Sequence, residues 1–217
     1  SRRTIYTNNA LLKVILLLSH LKNELYCNTE EIVYVKNDGN IPRIYPRIQT
    51  EIKKVSNIEE FDKYVGVSER IMKNRAKFRY FLRHGCSMYI ALHRNDVAGY
   101  YFVCRISDFK PYPYNKLPIF HNESHYIFFC HTFPEYRGKS IYPYVLTQIY
   151  RDIRKNSKLA FISTGINNIS SQKGIEKAGF KKLCILKYRS IARIPRYKIE
   201  WIDQPFTLTV GFSSITT

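Results

Sequence analysis

A chain of 217 residues holds one well-buried core and is marginal for two, and its 45% hydrophobic content supports a globular fold. A formal net charge of +18, from 35 Lys and Arg against 17 Asp and Glu, sets up a field that attracts polyanions: nucleic acid, a membrane surface or phosphorylated small molecules. The five scattered cysteines, Cys27, Cys86, Cys104, Cys130 and Cys184, include no CxxC pair and no Cys/His cluster, which argues against a disulfide framework or a metal site and points to reduced core thiols in a cytoplasmic protein.

The first helical pattern covers residues 8–26. Its apolar run ALLKVILLLSHL is interrupted by Lys13, falls short of the roughly 20 residues of a membrane span, and has no signal-peptide cleavage site, so it reads as a helix packed on the core or at a homodimer contact. The β-like EIVYVK and the Pro-punctuated NIPRIYPRIQ follow, making 1–50 an expected N-terminal extension, with the organised core starting at about Glu51. EIKKV reads as a short strand. Ser56, with Glu59 three residues on, forms a capping box that opens the helix SNIEEFDKYV.

Ser68 to His84 reads as one helix, apolar at Ile71, Met72, Phe78, Phe81 and Leu82 and closed by Gly85. Its other face carries Arg70, Lys73, Arg75, Lys77, Arg79 and Arg83, either a solvated surface or a phosphate contact. CSMYIALHRNDVAGYYFVCRIS then reads as two strands joined at RND, and after the loop SDFKPYPYNKLP the strand HYIFFCHTF is aromatic on both faces and hence central. Helix, strand, helix and strand follow to about Tyr188, with residues 191–217 expected to complete the sheet. This alternation implies an α/β or α+β layer architecture without internal repeats.

FPEYRGKSIYPYVL leads out of the central strand. Tyr142, Val145, Leu146, Ile149 and Ile153 keep helical spacing, so a helix begins near Ser140 with Pro143 in its first turn. A strand passing through RGKS into a helix aims successive backbone N–H groups at one spot, an anion site. With Gly138 alone before Lys139 and Ser140, the turn is neither a Walker loop nor a dinucleotide fingerprint.

The stretch KLAFISTGINNISSQKGIEKAGFKKLCIL reads as strand, loop, short helix, Gly-terminated cap and strand. Together the two stretches resemble the acyl-CoA-binding half of the GNAT N-acyltransferase superfamily, over roughly residues 51–190. The resemblance implies a mixed central sheet with two splayed central strands flanked by helices, and acyl-CoA as co-substrate with no metal. Arg137 matches the first position of the family's pyrophosphate turn, whereas Ser140 and Tyr142 stand where the family has Gly and Gly or Ala; Tyr142 adds bulk where close backbone approach is expected. Asn168 and Ser171 match the family's Asn-x-x-Ala/Ser helix, which ends here in Gly179 and Phe180. Ile175 replaces the Tyr that often protonates the departing thiolate.

The resemblance therefore assigns cofactor binding to Thr132, Arg137, Gly138, Lys139, Ser140, Ile141, Tyr142, Asn168 and Ser171, and the oxyanion donor to the backbone amide of Cys130. It implies direct attack of a neutral amine on the thioester, which requires a proton acceptor. Tyr126 stands where some members carry a Glu; His131 and His125 lie on the opposite face by alternation unless a bulge reverses parity; Glu123 starts the strand. The basic second helix, the loop FKPYPYNKLPIFHNE and the chain ends suit stacking on a nucleobase and pairing with a diphosphate. They are similar in style to bacterial enzymes that N-acylate amino sugars linked to dTDP or UDP for lipopolysaccharide or capsule, with acetyl-CoA or a longer hydroxyacyl-CoA. The rival readings are an N-acetyltransferase for a protein, peptide or other small amine, a non-catalytic GNAT fold, and a nucleic-acid-binding protein; against the last stand the missing zinc spacing, RNP motif and recognition helix.

Overall fold

The computed structural model describes residues 26–37, 39–65, 69–109, 123–156, 159–191 and 194–202. The Leu-rich first helix, with the dimer contact inferred from it, most of the Pro-rich loop and the residues after 202 lie outside these. Eight strands form one sheet: β1 (Tyr26–Lys36), β2 (Glu51–Val55), β3 (Ser87–His93), β4 (Asp96–Arg105), β5 (His125–Thr132), β6 (Ala160–Gly165), β7 (Lys181–Ile191) and β8 (Ile194–Trp201). Their order is β2-β3-β4-β5-β6-β1-β7-β8. Among the described residues five α-helices flank it: α1 (Ile58–Val65), α2 (Glu69–Met72), α3 (Arg75–Arg83), α4 (Ile141–Ile153) and α5 (Ile169–Lys177). Among the described residues no helix is long and apolar enough to cross a membrane, and no group of His, Cys, Asp or Glu could hold a metal ion.

The sheet buries both faces. Alternation in β1 sends Val33 and Val35 to one side with Phe61, Ile71, Phe78, Phe81 and Leu82 of α1 to α3, and Ile32 and Tyr34 to the other with Val145, Leu146, Ile149 and Ile175 of α4 and α5. β1 comes from the segment expected to precede the core, yet it lies inside the sheet, with Val33 opposite both Ser163 of β6 and Cys184 of β7. At its end the buried Lys36 donates from Nζ to the carbonyl of Gly179 at 3.1 Å and sits 5.1 Å over the Tyr150 ring. A buried ammonium needs such partners, and these tie β1 to the end of α5.

Local chemistry explains most of the remaining differences from expectation. The capping box is shifted by one residue: Asn57 Oδ1 accepts from the Glu60 amide at 2.8 Å while Glu60 Oε2 accepts from the Ser56 amide at 2.8 Å. The long second helix is two short ones, broken at Asn74, and Met72 is exposed. The RND hairpin forms as expected, with Arg94 and Asn95 both at positive φ, the pairing a two-residue turn requires.

Two irregularities in β5 shape the site. It runs parallel to β6 only from His125↔Ala160 to Ile127↔Ile162, after which the strands part. On its other side, pairing to β4 passes from Phe102↔Phe128 to Tyr100↔His131, so Phe129 and Cys130 together oppose Tyr101, with Phe129 at φ +48°. This is a β-bulge.

Candidate active site

Where β5 and β6 separate, a cleft of about 680 Å³ opens, floored by Ile127 to Thr132 on one strand and Ile162 to Thr164 on the other. Its mouth is lined by the turn between β5 and α4 and by one side of α5 with its cap, which bring Arg137, Gly138, Ser140, Ile141, Tyr142, Asn168, Ser171, Lys173 and Lys177 together. Eight of the nine residues assigned to the cofactor thus meet at one cleft. Lys139 does not line it, and its carbonyl accepts from the Arg47 amide at 2.8 Å, pinning the turn to the chain before β2.

The turn is made by two residues in the left-handed region, Gly138 at φ +74° and Ser140 at φ +59°. Gly138 adopts this freely, whereas Ser140 bears the cost of a side chain there. No side chain caps α4, and Pro143 has no N–H, so the amides at the start of the helix are left toward the cleft mouth. Arg137 folds back, its Nε donating to the Thr132 carbonyl at 3.0 Å, and Lys177 Nζ donates to Ser140 Oγ at 3.1 Å. The cleft mouth therefore combines a helix N-terminus with Arg137, Lys173 and Lys177, a field suited to phosphates. Lys173 and Lys177 were missed in the sequence, though their i, i+4 spacing in SQKGIEK put them on one face of a helix already singled out.

Asn168 spends its side-chain oxygen on the protein: Oδ1 caps α5 by accepting from the Ser171 amide at 3.2 Å and from Ser170 Oγ at 3.1 Å. Tyr142 does not fill the mouth. Its ring stacks on Tyr101 at 6.0 Å between centroids, its hydroxyl lies 3.3 Å from Ser171 Oγ, and Gly174 leaves the space it takes. A Cβ on Gly174 would stand 2.6 Å from Tyr142 Cδ1. The bulk that departs from the family pattern at Tyr142 is accommodated by a missing side chain one helix away.

Of the catalytic candidates, Cys130 and His131 line the cleft, and Tyr126, His125 and Glu123 do not. The bulge reverses parity, so His131 falls on the same face as Tyr126: it stacks on Tyr100 at 5.4 Å and meets the Phe133 edge at 4.8 Å. Burial first, then the Arg137 charge, lowers its pKa, so it is a neutral imidazole at physiological pH. His125 sits at the closed end of β5 beside Arg105, and Glu123 is exposed on the turn before the strand. Tyr126 is buried, and burial pushes its hydroxyl well above the usual range, so it is no base by itself. Ile175 is fully buried in the core under α4, away from any acid role.

Sequence reasoning also missed a chain of short hydrogen bonds beside Tyr126. Its hydroxyl lies 2.7 Å from Ser163 Oγ, which donates at 2.6 Å to Glu31 Oε2. Burial raises the Glu31 pKa, an effect the Ser163 hydrogen bond reduces.

No family model and no curated protein matches the chain. Among solved structures, an acetyltransferase of the GNAT family from Colwellia psychrerythraea superposes with a TM-score of 0.51 at 15% identity, over 81% of this chain and 57% of that one. The chain has the GNAT fold. A GNAT-family protein of Novosphingobium aromaticivorans superposes with a TM-score of 0.50 at 12% identity, over 74% of this chain and 63% of its own. This chain thus spans less than two thirds of the length of either. Within the GNAT fold, the parting of β5 and β6, the bulge opposite Tyr101 and the uncapped α4 all surround the same cleft.

Proposed function

We propose that this chain is an acyl-CoA-dependent N-acyltransferase. The observation that carries the reading is the cleft formed by the parted strands and the basic, uncapped start of α4. The pyrophosphate lies on the amides between Gly138 and Tyr142, with Lys173 and Lys177 beside it. The pantetheine arm runs between β5 and β6 like an added strand, taking the backbone positions that β6 leaves vacant opposite Cys130 and Thr132. The thioester then lies at the bulge, where the Cys130 amide receives the charge that develops on oxygen.

The acceptor amine enters from the α1 to α3 face, working in the cytoplasm where acyl-CoA is supplied. For its class we favour a nucleotide-linked amino sugar, on the strength of the net charge of +18 and of the aromatic residues Phe128, Phe129, His131 and Phe133 on that side. The basic helix supports this less than its composition suggests. Arg79 Nη1 donates to both carboxylate oxygens of Asp62 at 2.7 and 2.6 Å, and Arg75 also reaches Asp62, so two of the six cations of that face are engaged within the protein. Lys77 is laid over the Phe129 ring at 4.0 Å. The sugar, the nucleotide and the acyl length are best read from thiol release over a matrix of acyl-CoAs and amines. Absence of CoA binding by calorimetry would remove the acyltransferase reading. CoA binding without turnover on any amine would favour the non-catalytic rival, which the burial of Ile175 keeps in view.

A further inference from the structure

We infer that His131 is the proton acceptor of this site and takes the proton of the attacking amine directly on its imidazole. The inference rests on the acyltransferase reading above and supplies the base which that reading lacks.

The other described histidines are committed elsewhere. His84 Nδ1 meets the Tyr80 carbonyl at 2.8 Å, His93 Nδ1 meets the Gln49 carbonyl at 2.7 Å, and His125 keeps Nδ1 buried at the closed end of β5, outside the cleft. His131 alone of the four lines the cleft. Its ring is held by two aromatic neighbours, stacked on Tyr100 at 5.4 Å and 24° and perpendicular to Phe133 at 4.8 Å and 79°. Among the described residues no hydrogen bond occupies either ring nitrogen. A neutral imidazole carries one accepting nitrogen in either tautomer, so the ring is oriented by packing while its basic atom stays uncommitted.

Position follows from the bulge. With Phe129 and Cys130 both opposite Tyr101, His131 pairs in register with Tyr100 and shares its face of the sheet, the α1–α3 side from which the acceptor enters. Without the extra residue, alternation would put His131 on the α4–α5 side. β4 closes on this end of β5 because Gly99 has no side chain: a Cβ there would stand 2.6 Å from the His131 carbonyl oxygen. One backbone irregularity thus sets the Cys130 amide at the thioester oxygen and the next imidazole on the side of the incoming nitrogen.

The amine nitrogen forms the C–N bond with its lone pair, the carbonyl π electrons move onto oxygen, and the N–H proton passes to the imidazole nitrogen. Collapse re-forms C=O and breaks C–S, and the electron pair leaves on sulfur. The thiolate takes a proton from water, and the imidazolium returns one to water. The charged and titratable groups of the surrounding elements are Arg137 at the turn, Lys77 of α3 over Phe129, the Tyr100 hydroxyl of β4, the Cys130 thiol, and Tyr126 with Glu31 farther along the same face. Burial and the Arg137 charge keep the ring neutral, ready to accept and quick to release the proton afterwards.

The test uses the full chain, acetyl-CoA and the fastest acceptor of the amine matrix. His131→Gln is expected to bind acetyl-CoA as the wild type does by calorimetry and to release thiol about 100-fold more slowly, in line with loss of a general base. The pH profile of kcat/KM separates chemistry from packing. The wild type needs both the amine and the imidazole neutral, so its acid limb steepens to a two-proton dependence below about pH 6.5, while His131→Gln keeps the one-proton limb of the amine. In His131→Ala, added imidazole should restore the rate, and pyrazole, of the same shape but far less basic, should not. A His131→Gln enzyme with wild-type rate and limb, or an equal effect of the two azoles, overturns the base and leaves the acyltransferase reading intact. A wild type that binds no CoA, or binds it and releases no thiol with any amine, overturns that reading and the base with it. Should both variants fold poorly, the wild-type limb decides alone, and a one-proton dependence throughout overturns the base.

Discussion

On the α4–α5 face the cleft is bounded by a helix N-terminus, Arg137, Lys173 and Lys177, while on the α1–α3 face it is bounded by Phe128, Phe129, His131 and a carboxylate reached through Ser163. The first arrangement suits an anion: its charges are exposed, of one sign, and set on backbone geometry that needs no particular side chain. The second is aromatic and holds two titratable groups away from their ordinary pKa, His131 lowered and Glu31 raised by burial. The division follows from the sheet, because only where β5 and β6 part can one ligand touch both faces.

If that division is right, cofactor affinity lives on one face alone. Replacing Lys173 and Lys177 together by Ala is expected to weaken CoA about 100-fold, the loss of two charge-assisted hydrogen bonds of about 1.5 kcal/mol each. The loss should shrink as salt is raised. Replacing Lys77 and Arg83 of α3 should leave CoA affinity where it was and act on the acceptor KM. The reverse pattern in calorimetry would place the phosphates on the aromatic face.

The next effect tests how the binding face is built. Gly174→Ala is expected to destabilise the fold by about 1–3 kcal/mol through overpacking on the Tyr142 ring. Tyr142→Ala in the same chain should recover part of that loss, a coupling of about 1 kcal/mol in denaturant titrations. Additive losses would mean that the ring and the glycine do not compete for the same space.

The binding face was also the more legible in sequence, for a physical reason. Its parts are local: Arg137 to Tyr142 and Asn168 to Ser171 are each within one turn and the helix it starts, so spacing alone brings them together. The aromatic face is assembled from afar. Glu31 and Ser163 are 132 residues apart and meet only because β1 enters the sheet beside β6, which no pattern in EIVYVK announces. The bulge at Phe129 carries no Gly or Pro, so parity along HYIFFCHT could not be fixed and His131 could not be assigned a face. Even the capping box slipped by one residue because Ser56 and Asn57 are both good caps.

A smaller effect concerns Ser140. At φ +59° a serine bears a local penalty that glycine avoids, so Ser140→Gly is expected to stabilise the chain by about 1 kcal/mol, less what the exposed Lys177 hydrogen bond returns. Thermal unfolding with and without Lys177→Ala separates the two contributions. A destabilised Ser140→Gly would show that the hydroxyl, rather than the backbone conformation, holds the turn.

The subtlest contrast lies in the pH dependence of stability. It rests on Glu31. Burial raises its folded pKa above the unfolded value, so the folded state holds the proton more tightly and stability is lost as pH rises from the ordinary carboxylate range through the raised one. Glu31→Gln removes this loss. The variant should match the wild type in acid, gain on it as pH rises, and hold a constant advantage once Glu31 is ionised in the wild type, in urea titrations at closely spaced pH. A carboxylate held in a buried wall is a cost to the fold, and a variant that becomes more stable as pH rises would locate that cost at Glu31. Equal stability at every pH would mean that the Ser163 hydrogen bond offsets the burial in full.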